Sequence, residues 1–168
     1  RVATMLLDQG RKGEAIEVLL RSRSLWPEQQ VLDPILEVIR SKRSKVALVR
    51  LGEDADGALS EAWRFVQDRF QTGFYTGRTP EELSQLMQWC DIAWFDGGGP
   101  VVVEASGLPG PRRTIVSLRC SDVRDDWVRQ VRWESVDILV QIGSSAVEEA
   151  LLKWVPDLRN RTRLVVVP

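Results

Sequence analysis

The sequence predicts an α/β protein that is built on a doubly wound parallel sheet and carries an N-terminal helical hairpin extension. From Lys45 onward, short apolar runs rich in β-branched residues alternate with amphipathic stretches at helical spacing. Each apolar run is almost unbroken, which is typical of parallel strands covered by helices on both faces. Residues 1–43 show helical spacing alone. The sequence therefore predicts two parts, a helical segment at 1–43 and an α/β domain at 45–168.

The helical segment contains three apolar stripes at helical spacing. They comprise Val2, Met5 and Leu6, then Ile16, Leu19 and Leu20, and finally Leu32, Ile35, Leu36 and Ile39. Small residues stand at Ala3, Gly10 and Ala15. Together with Pro27 they resemble a single tetratricopeptide repeat, in which a proline ends the second helix. A lone repeat leaves one face uncovered, so the resemblance implies further repeats or a protein partner. The alternative is a helical cap on the α/β domain.

Strands and helices alternate through the α/β domain. The predicted strands are Val46–Leu51, Thr72–Tyr75, Asp91–Phe95, Thr114–Leu118, Val136–Ile142 and Arg163–Val167. The helices are predicted near 56–70, 80–88, 99–107, 124–133 and 144–154. The helix at 80–88 has the clearest start, because Thr79 suits an N-cap and Pro80 suits the first turn.

Composition excludes several functions. The 168 residues carry a formal net charge of −1, so there is no basic excess to attract nucleic acid or an anionic membrane. Histidine is absent, which excludes Ser-His-Asp and Cys-His centres and histidine metal sites within this chain, and we expect no bound metal. Cys90 and Cys120 lie beside apolar runs without a CxxC motif, so we interpret both as small buried hydrophobic residues.

The sequence also bears on location and completeness. No apolar run approaches the roughly 20 residues that span a bilayer, and no signal peptide is visible, so we expect a cytoplasmic protein. The chain begins at Arg1 without a methionine, so we expect its natural N-terminus to lie further upstream.

The loops that follow the strands contain the predicted binding residues, because doubly wound sheets bind ligands beyond the carboxyl ends of their strands. Gly97, Gly98 and Gly99 join the third strand to a helix, where the backbone approaches a ligand closely and amide N–H groups are exposed. Arg119 follows the fourth strand and suits a carboxylate or phosphate. Ser144 follows the fifth strand. We predict that these residues bind substrate.

Asp122 is the predicted catalytic residue, since it lies three residues after Arg119 and suits a proton acceptor or a partner for a sugar hydroxyl. The alternatives are an ion pair with Arg119 or an N-cap of the next helix. For the three glycines, the alternative is a tight turn between strand and helix. Neither GxGxxG spacing nor a Walker A motif is present, so the sequence indicates neither a dinucleotide fingerprint nor a P-loop ATPase.

Several stretches together carry a family resemblance. They are 87–96 (MQWCDIAWFD), 104–106 (EAS), 114–122 (TIVSLRCSD), 130–140 (QVRWESVDILV) and the serine pair at 144–145. They resemble the N-terminal, Rossmann-like half of family-4 glycosyltransferases of the GT-B fold, over about residues 45–168. The final strand and Pro168 resemble the end of that half, so the resemblance implies that a C-terminal donor-binding domain follows in the same chain.

The resemblance implies an acceptor-side domain of an enzyme that transfers a sugar from a nucleotide-sugar donor to a hydroxyl. The acceptor would be a glycan, lipid or protein. No cofactor is expected in this half, which by itself would be inactive. Two positions depart from the family pattern. Arg119 stands where the family often has histidine, and three glycines follow Asp96 where an acidic, tryptophan-rich stretch is common.

These departures favour one alternative, a non-catalytic protein-interaction module built on a degenerate transferase fold. A flavodoxin-like or response-regulator-like domain is a further alternative, although the acid and lysine arrangement of a receiver is not evident.

Overall fold

A computed structural model describes residues 1–50, 59–77, 79–123, 126–143 and 146–167. Six strands form one sheet: β1 (Lys45–Arg50), β2 (Gln71–Phe74), β3 (Ile92–Asp96), β4 (Arg113–Leu118), β5 (Ile138–Ile142) and β6 (Arg163–Val167). Every neighbouring pair is parallel, and the order across the sheet is β2-β1-β3-β4-β5-β6. The predicted parallel sheet is thereby confirmed, and the strand bounds agree with the predicted ones to within two residues.

Helices precede the sheet and connect its strands. They are α1 (Val2–Asp8), α2 (Lys12–Leu25), α3 (Leu32–Ser41), α4 (Ser60–Arg69), α5 (Pro80–Trp89), α6 (Pro100–Gly107), α7 (Trp127–Gln130), α8 (Ala146–Trp154) and α9 (Leu158–Arg161). Thr79 caps α5 as predicted, since its hydroxyl accepts a hydrogen bond from the Glu82 N–H at 3.2 Å. Among the described helices, none is long and apolar enough to cross a membrane.

The helix predicted over 124–133 is reduced to the short α7. The chain leaves the helix at Val131, which has an extended conformation, and Trp133 then enters the core at 1% exposure. The Trp133 indole N–H donates to the carbonyl of Val128 at 2.9 Å. Burial of a large aromatic side chain therefore outweighs local helical propensity here.

Helices cover both faces of the sheet. Trp63 of α4 packs on Val46 and Leu48 of β1. Helices α5 to α9 contribute to a larger core on the opposite face, around Ala47 and Val49 of the same strand. The connections that leave β1 and β3 therefore pass to opposite faces. This arrangement makes the sheet Rossmann-like, and the strand order reverses between β1 and β3.

The helical segment has a small core of its own and is fastened to α4. Its core consists of Ile16, Leu19, Leu36 and Ile39. Arg69 of α4 donates to both carboxylate oxygens of Glu17, from Nε at 2.5 Å and from Nη2 at 2.7 Å. Arg40 and Arg43 donate to the carbonyls of Asp68 and Arg69 at 2.8 and 3.0 Å, at the C-terminal end of α4. The resemblance to a tetratricopeptide repeat stays a prediction.

Two aspartates tie neighbouring strands together at the amino edge of the sheet. Asp91 precedes β3 and accepts a hydrogen bond from the Lys45 N–H of β1 at 2.9 Å. Asp137 precedes β5 and accepts one from the Thr114 N–H of β4 at 2.8 Å, while its other oxygen binds Arg113 at 2.5 Å. Both acids therefore have a structural role that needs no ligand.

Candidate functional site

The carboxyl edge of the sheet at β1, β3 and β4 brings together most of the predicted site residues. Arg50 ends β1 and Asp96 ends β3, and the two residues are paired in the sheet register. Arg119 directly follows β4. Because the chain leaves β1 and β3 towards opposite faces, this edge is the crevice in which open α/β sheets bind ligands.

The turn after β3 requires glycine at each of its three positions, for reasons that differ. Gly97 and Gly99 have φ angles of 104° and 135°, which residues with a side chain rarely adopt. At Gly98, an ideal Cβ would lie 2.0 Å from Cζ2 of Trp127. The predicted tight turn is therefore present, and Pro100 begins α6 immediately after it.

The N–H groups of this turn are only partly used by the protein. Gly97 donates to the carbonyl of Ser117 at 2.9 Å. Within the described part of the chain, the N–H groups of Gly98 and Gly99 donate no hydrogen bond. Two backbone donors next to the N-terminus of α6 therefore have no acceptor among the described residues, and helix N-termini with such donors are common anion sites.

A buried carboxylate lies between two arginines at the same edge. Asp96 is 5% exposed, and its Oδ1 lies 3.1 Å from Nη1 of Arg119. Its Oδ2 lies 4.0 Å from Nε of Arg50. Oδ1 accepts no hydrogen bond of good geometry, so the contact with Arg119 is an ion pair without hydrogen-bond alignment. The cluster carries two positive charges and one negative charge.

Tryptophans form the wall behind the arginines. The Arg50 guanidinium lies over the ring of Trp63, with its carbon 4.3 Å from the ring centroid. Trp94 lies 6.4 Å from Trp63, measured between ring centroids, and its indole N–H donates to the Ser117 hydroxyl at 2.7 Å. The buried indole N–H of Trp63 has no acceptor among the described residues. The aromatic wall lowers the local dielectric and strengthens the charge interactions beside it.

Asp122 is engaged by the backbone rather than by the Arg119 guanidinium. Its Oδ2 accepts a hydrogen bond from the N–H of Arg119 at 2.7 Å, and its carbonyl accepts one from the Trp127 indole at 3.0 Å. The ion pair considered from the sequence is thus formed with Asp96 instead. Asp122 stays a predicted catalytic residue, and Ser144 lies outside the described residues.

The predicted site residues did not include three members of this cluster, Arg50, Asp96 and Trp63, although the sequence placed Asp96 at the end of the third strand. Arg50 and Asp96 are charged residues at the ends of almost wholly apolar strands, which is a signal that the sequence did contain. Trp63 lies in an amphipathic helix, where it could not be distinguished from a core residue. Cys120 was predicted to be buried and is exposed, because the chain turns out of the sheet after Arg119.

Other features lie away from this cluster. Gln141 of β5 is fully buried and its side-chain amide has no partner among the described residues, but its register with Leu118 places it on the opposite face from Arg119. A cavity of about 180 Å³ lies near the amino ends of β4 and β5, lined mainly by apolar side chains. Its Ser106 and Ser135 hydroxyls are hydrogen-bonded to backbone carbonyls. We interpret it as a packing void. No cluster of metal ligands occurs among the described residues.

No protein-family model, curated protein or solved structure matches this chain. The fold and the edge define it as a Rossmann-like α/β protein with a candidate ligand site where β1 and β3 end. Its function has to be argued from the residues of that site.

Proposed function

We propose that the chain is the acceptor-side domain of a cytoplasmic GT-B glycosyltransferase. The whole enzyme would transfer a sugar from a nucleotide-sugar donor to a hydroxyl of a glycan, lipid or protein. The observation that supports this proposal most is the carboxyl edge at the change of sheet direction. There Arg119 and the glycine turn offer unused donors beside a buried acid. Two cysteines outside any disulfide are compatible with a reducing compartment.

Four residues of the edge have a direct role in this proposal. The N–H groups of Gly98 and Gly99 and the guanidinium of Arg119 would bind and orient the acceptor. Asp122 would accept the proton of the attacking hydroxyl, or orient that hydroxyl, while the Arg119 N–H holds its carboxylate in position. The donor would be held by a C-terminal domain of the same chain, so catalysis needs both halves.

One observation favours a second candidate, a non-catalytic protein-interaction module. The helical segment contains eight of the twelve large apolar side chains that are exposed among the described residues. They are Val2, Met5, Val18, Leu25, Trp26, Val31, Ile35 and Val38. Large exposed apolar side chains gathered in one segment suit a surface that binds a protein partner. A protein partner bound through this segment is compatible with either candidate.

The test is sugar transfer by the full-length protein, together with any sequence that its gene encodes beyond Pro168, measured with a panel of nucleotide sugars. We expect donor hydrolysis or transfer, and we expect Asp122→Asn to lower kcat at least about tenfold, because the amide cannot accept the proton. The amide oxygen still accepts the Arg119 N–H, so the melting temperature should change little.

Asp126→Asn is the matched control, since it removes a nearby carboxylate that makes no side-chain cap. Normal kcat in Asp122→Asn would remove Asp122 from the catalytic residues. Absence of both donor binding and donor turnover in the parent protein would contradict the transferase proposal and favour the interaction module.

A further inference from the structure

Strand β6 is the last strand in the order of the sheet, so it has β5 on one side and no strand on the other. The N–H of Arg163 donates to the carbonyl of Asp137 at 3.2 Å, and the carbonyl of Val167 accepts a hydrogen bond at 2.9 Å from the residue that follows β5. The backbone groups of successive residues point to alternate sides of a strand. Leu164 and Val166 therefore direct their N–H and C=O groups away from β5, to a side that we call the open side of β6. Within the described part of the chain, these groups form no hydrogen bond there.

The composition of β6 leaves its open side ready to pair. Natural proteins commonly prevent the end strand of a sheet from pairing by placing charged residues or proline along it. β6 has a single charged residue, Arg163 at its start, and its other four residues are leucine and valine. Val166 and Val167 are 53% and 40% exposed. The strand at the other end of the sheet, β2, is shorter and has the mostly polar or small sequence QTGF. β6 is thus the end strand that is better suited to accept a further strand.

We propose that β6 pairs with β6 of a second copy of this chain, in antiparallel orientation around a two-fold axis at Val165. A two-fold axis perpendicular to the sheet makes the two strands antiparallel and turns the open side of each towards the other. Leu164 of each copy then exchanges both N–H···O bonds with Val166 of the other copy. This register uses all the open-side N–H and C=O groups of the two residues, because they are placed symmetrically on either side of the axis.

The side chains of β6 are compatible with this register. Val165 lies opposite Val165 of the other copy, and the exposed Val166 lies opposite Leu164, at a distance of about 4.5–5.5 Å between the Cβ atoms of opposite residues. Arg163 lies opposite Val167 of the other copy, where its aliphatic stem can cover that side chain. The two copies of Arg163 lie at opposite ends of the pairing, about 13 Å apart along the strands, which exceeds the Debye length at physiological salt. The charge of β6 therefore does not oppose self-pairing.

This dimer would leave both candidate ligand sites open. The site lies where β1, β3 and β4 end, and β5 separates those strands from β6. Since the two sheets run antiparallel, the carboxyl edges of the two copies point in opposite directions. The inference therefore goes beyond the proposed function and does not depend on it. Pairing of one short strand buries less surface than a standard protein interface, so we expect a weak dimer that dissociates on dilution.

The experiment is analytical ultracentrifugation of the 168-residue chain over a wide range of concentrations. We expect the mean mass to rise from that of one chain to twice that value. Val166→Pro should weaken association at least about fivefold, because proline removes an open-side N–H from each copy. The fold should tolerate this change, since the lost N–H does not bond to β5. Val166→Thr is the matched control, because it keeps the N–H and the β-branched shape and should associate like the wild-type chain.

A pair of charge variants tests the position of the axis. Val165→Lys and Val165→Glu each place like charges directly opposite one another, so each variant alone should associate at least about fivefold more weakly. An equimolar mixture brings opposite charges together and should restore a dimer with one chain of each kind. Native mass spectrometry detects this dimer when one variant is isotopically labelled. Phe74→Lys is the control, because it places a charge at an exposed apolar residue of β2 and should leave association unchanged. Circular dichroism checks that each variant is folded.

Amide hydrogen exchange gives an independent measurement. The N–H of Val165 bonds to β5 and should be protected at every concentration, whereas the N–H groups of Leu164 and Val166 should become protected only as the dimer forms.

Several results would overturn the inference. They are the mass of one chain at every concentration, association that Val166→Pro leaves unchanged, and a mixture of the two Val165 variants that does not restore the dimer. Protection of Leu164 and Val166 that persists on dilution would also overturn it, because another part of the same chain would then cover the open side.

Discussion

The aspartates at the two edges of the sheet differ in their partners and in their burial. At the amino edge, Asp91 and Asp137 accept hydrogen bonds from backbone N–H groups, and Asp137 also binds an arginine that is largely exposed. At the carboxyl edge, Asp96 is buried between two arginines and beside donors that have no acceptor in the described chain.

This difference distinguishes aspartates with a structural role from an aspartate in a candidate binding site, although all of them lie next to or at the end of a strand. An acid that is hydrogen-bonded to a neighbouring strand fixes the pairing of that strand and leaves nothing for a ligand to do. An edge with buried donors that have no acceptor among the described residues offers hydrogen bonds that a ligand could accept. The three predictions that follow test whether the two edges differ in this way, beginning with the largest expected effect.

The glycine turn of the carboxyl edge should tolerate no added side chain at its centre. Gly98→Ala places a Cβ about 2.0 Å from the Trp127 ring, and we expect the free energy of unfolding to fall by about 3 kcal/mol. Urea denaturation measures this change. Gly107→Ala is the control, because a Cβ there meets nothing within 4 Å, and we expect a change below about 1 kcal/mol. Equal losses in the two variants would show that the close packing on Trp127 has no special importance.

The two kinds of aspartate should differ in their contribution to stability. Asp96→Asn leaves two arginines close together beside a buried amide, so we expect a loss of about 2 kcal/mol. Asp137→Asn weakens an ion pair whose arginine is 67% exposed and keeps an acceptor for the Thr114 N–H. There we expect a loss of about 0.5 kcal/mol. Chemical denaturation of both variants at neutral pH measures the two losses in the free energy of unfolding. A larger loss for Asp137→Asn than for Asp96→Asn would contradict the expected order.

The two cysteines lie at opposite edges of the sheet and should differ in their reactivity towards thiol reagents. Burial raises the pKa of Cys90 to about 11, whereas Cys120 is exposed beside Arg119. A thiol reagent at pH 8 should therefore modify Cys120 in the native protein and Cys90 only after unfolding. Because the pKa of Cys90 is raised above its ordinary 9.0, the stability that depends on the neutral thiol is present below pH 9 and is lost as the pH rises towards 11.

Two variants check the assignment of the thiols. Cys120→Ser should abolish the rapid reaction, and Cys90→Ala should remove part of the alkaline loss of stability. A rapid reaction that persists in Cys120→Ser would mean that Cys90 is accessible, and the comparison of the edges by their thiols would then fail.

The sheet could be predicted from the sequence because its strands carry their own signal. A run such as Val46–Val49 is apolar enough to indicate a buried parallel strand without knowledge of its neighbours. The equally apolar run Leu164–Val167 is a strand at the edge of the sheet, and Val166 and Val167 are exposed there. The α7 region could not be predicted, since its short helix depends on where Trp133 is buried. Local helix propensity does not depend on that contact and therefore does not predict it.

The candidate site was predictable in part for a similar reason. Doubly wound sheets bind ligands beyond the carboxyl ends of their strands, and this rule selects Gly97 to Gly99 and Arg119. The rule needs only the order of the strands along the chain and the type of sheet, and both could be predicted. The partners of Arg119 could not be chosen from the sequence, because Asp122 is closer along the chain and Asp96 is closer in space. Which acid pairs with an arginine is decided by strand register, and register emerges only when the sheet forms.

The arginines that bind the end of α4 have a thermodynamic consequence for the whole chain. Arg40 and Arg43 hold the final carbonyls of α4, and the Trp63 of that same helix lies beneath Arg50. Fraying of the N-terminal helices would release the end of α4 and loosen the support of the site. We therefore expect the helices at 2–41 and the carboxyl edge to unfold as one cooperative unit. A ligand bound at the edge should then lower the open population of helices that it does not touch.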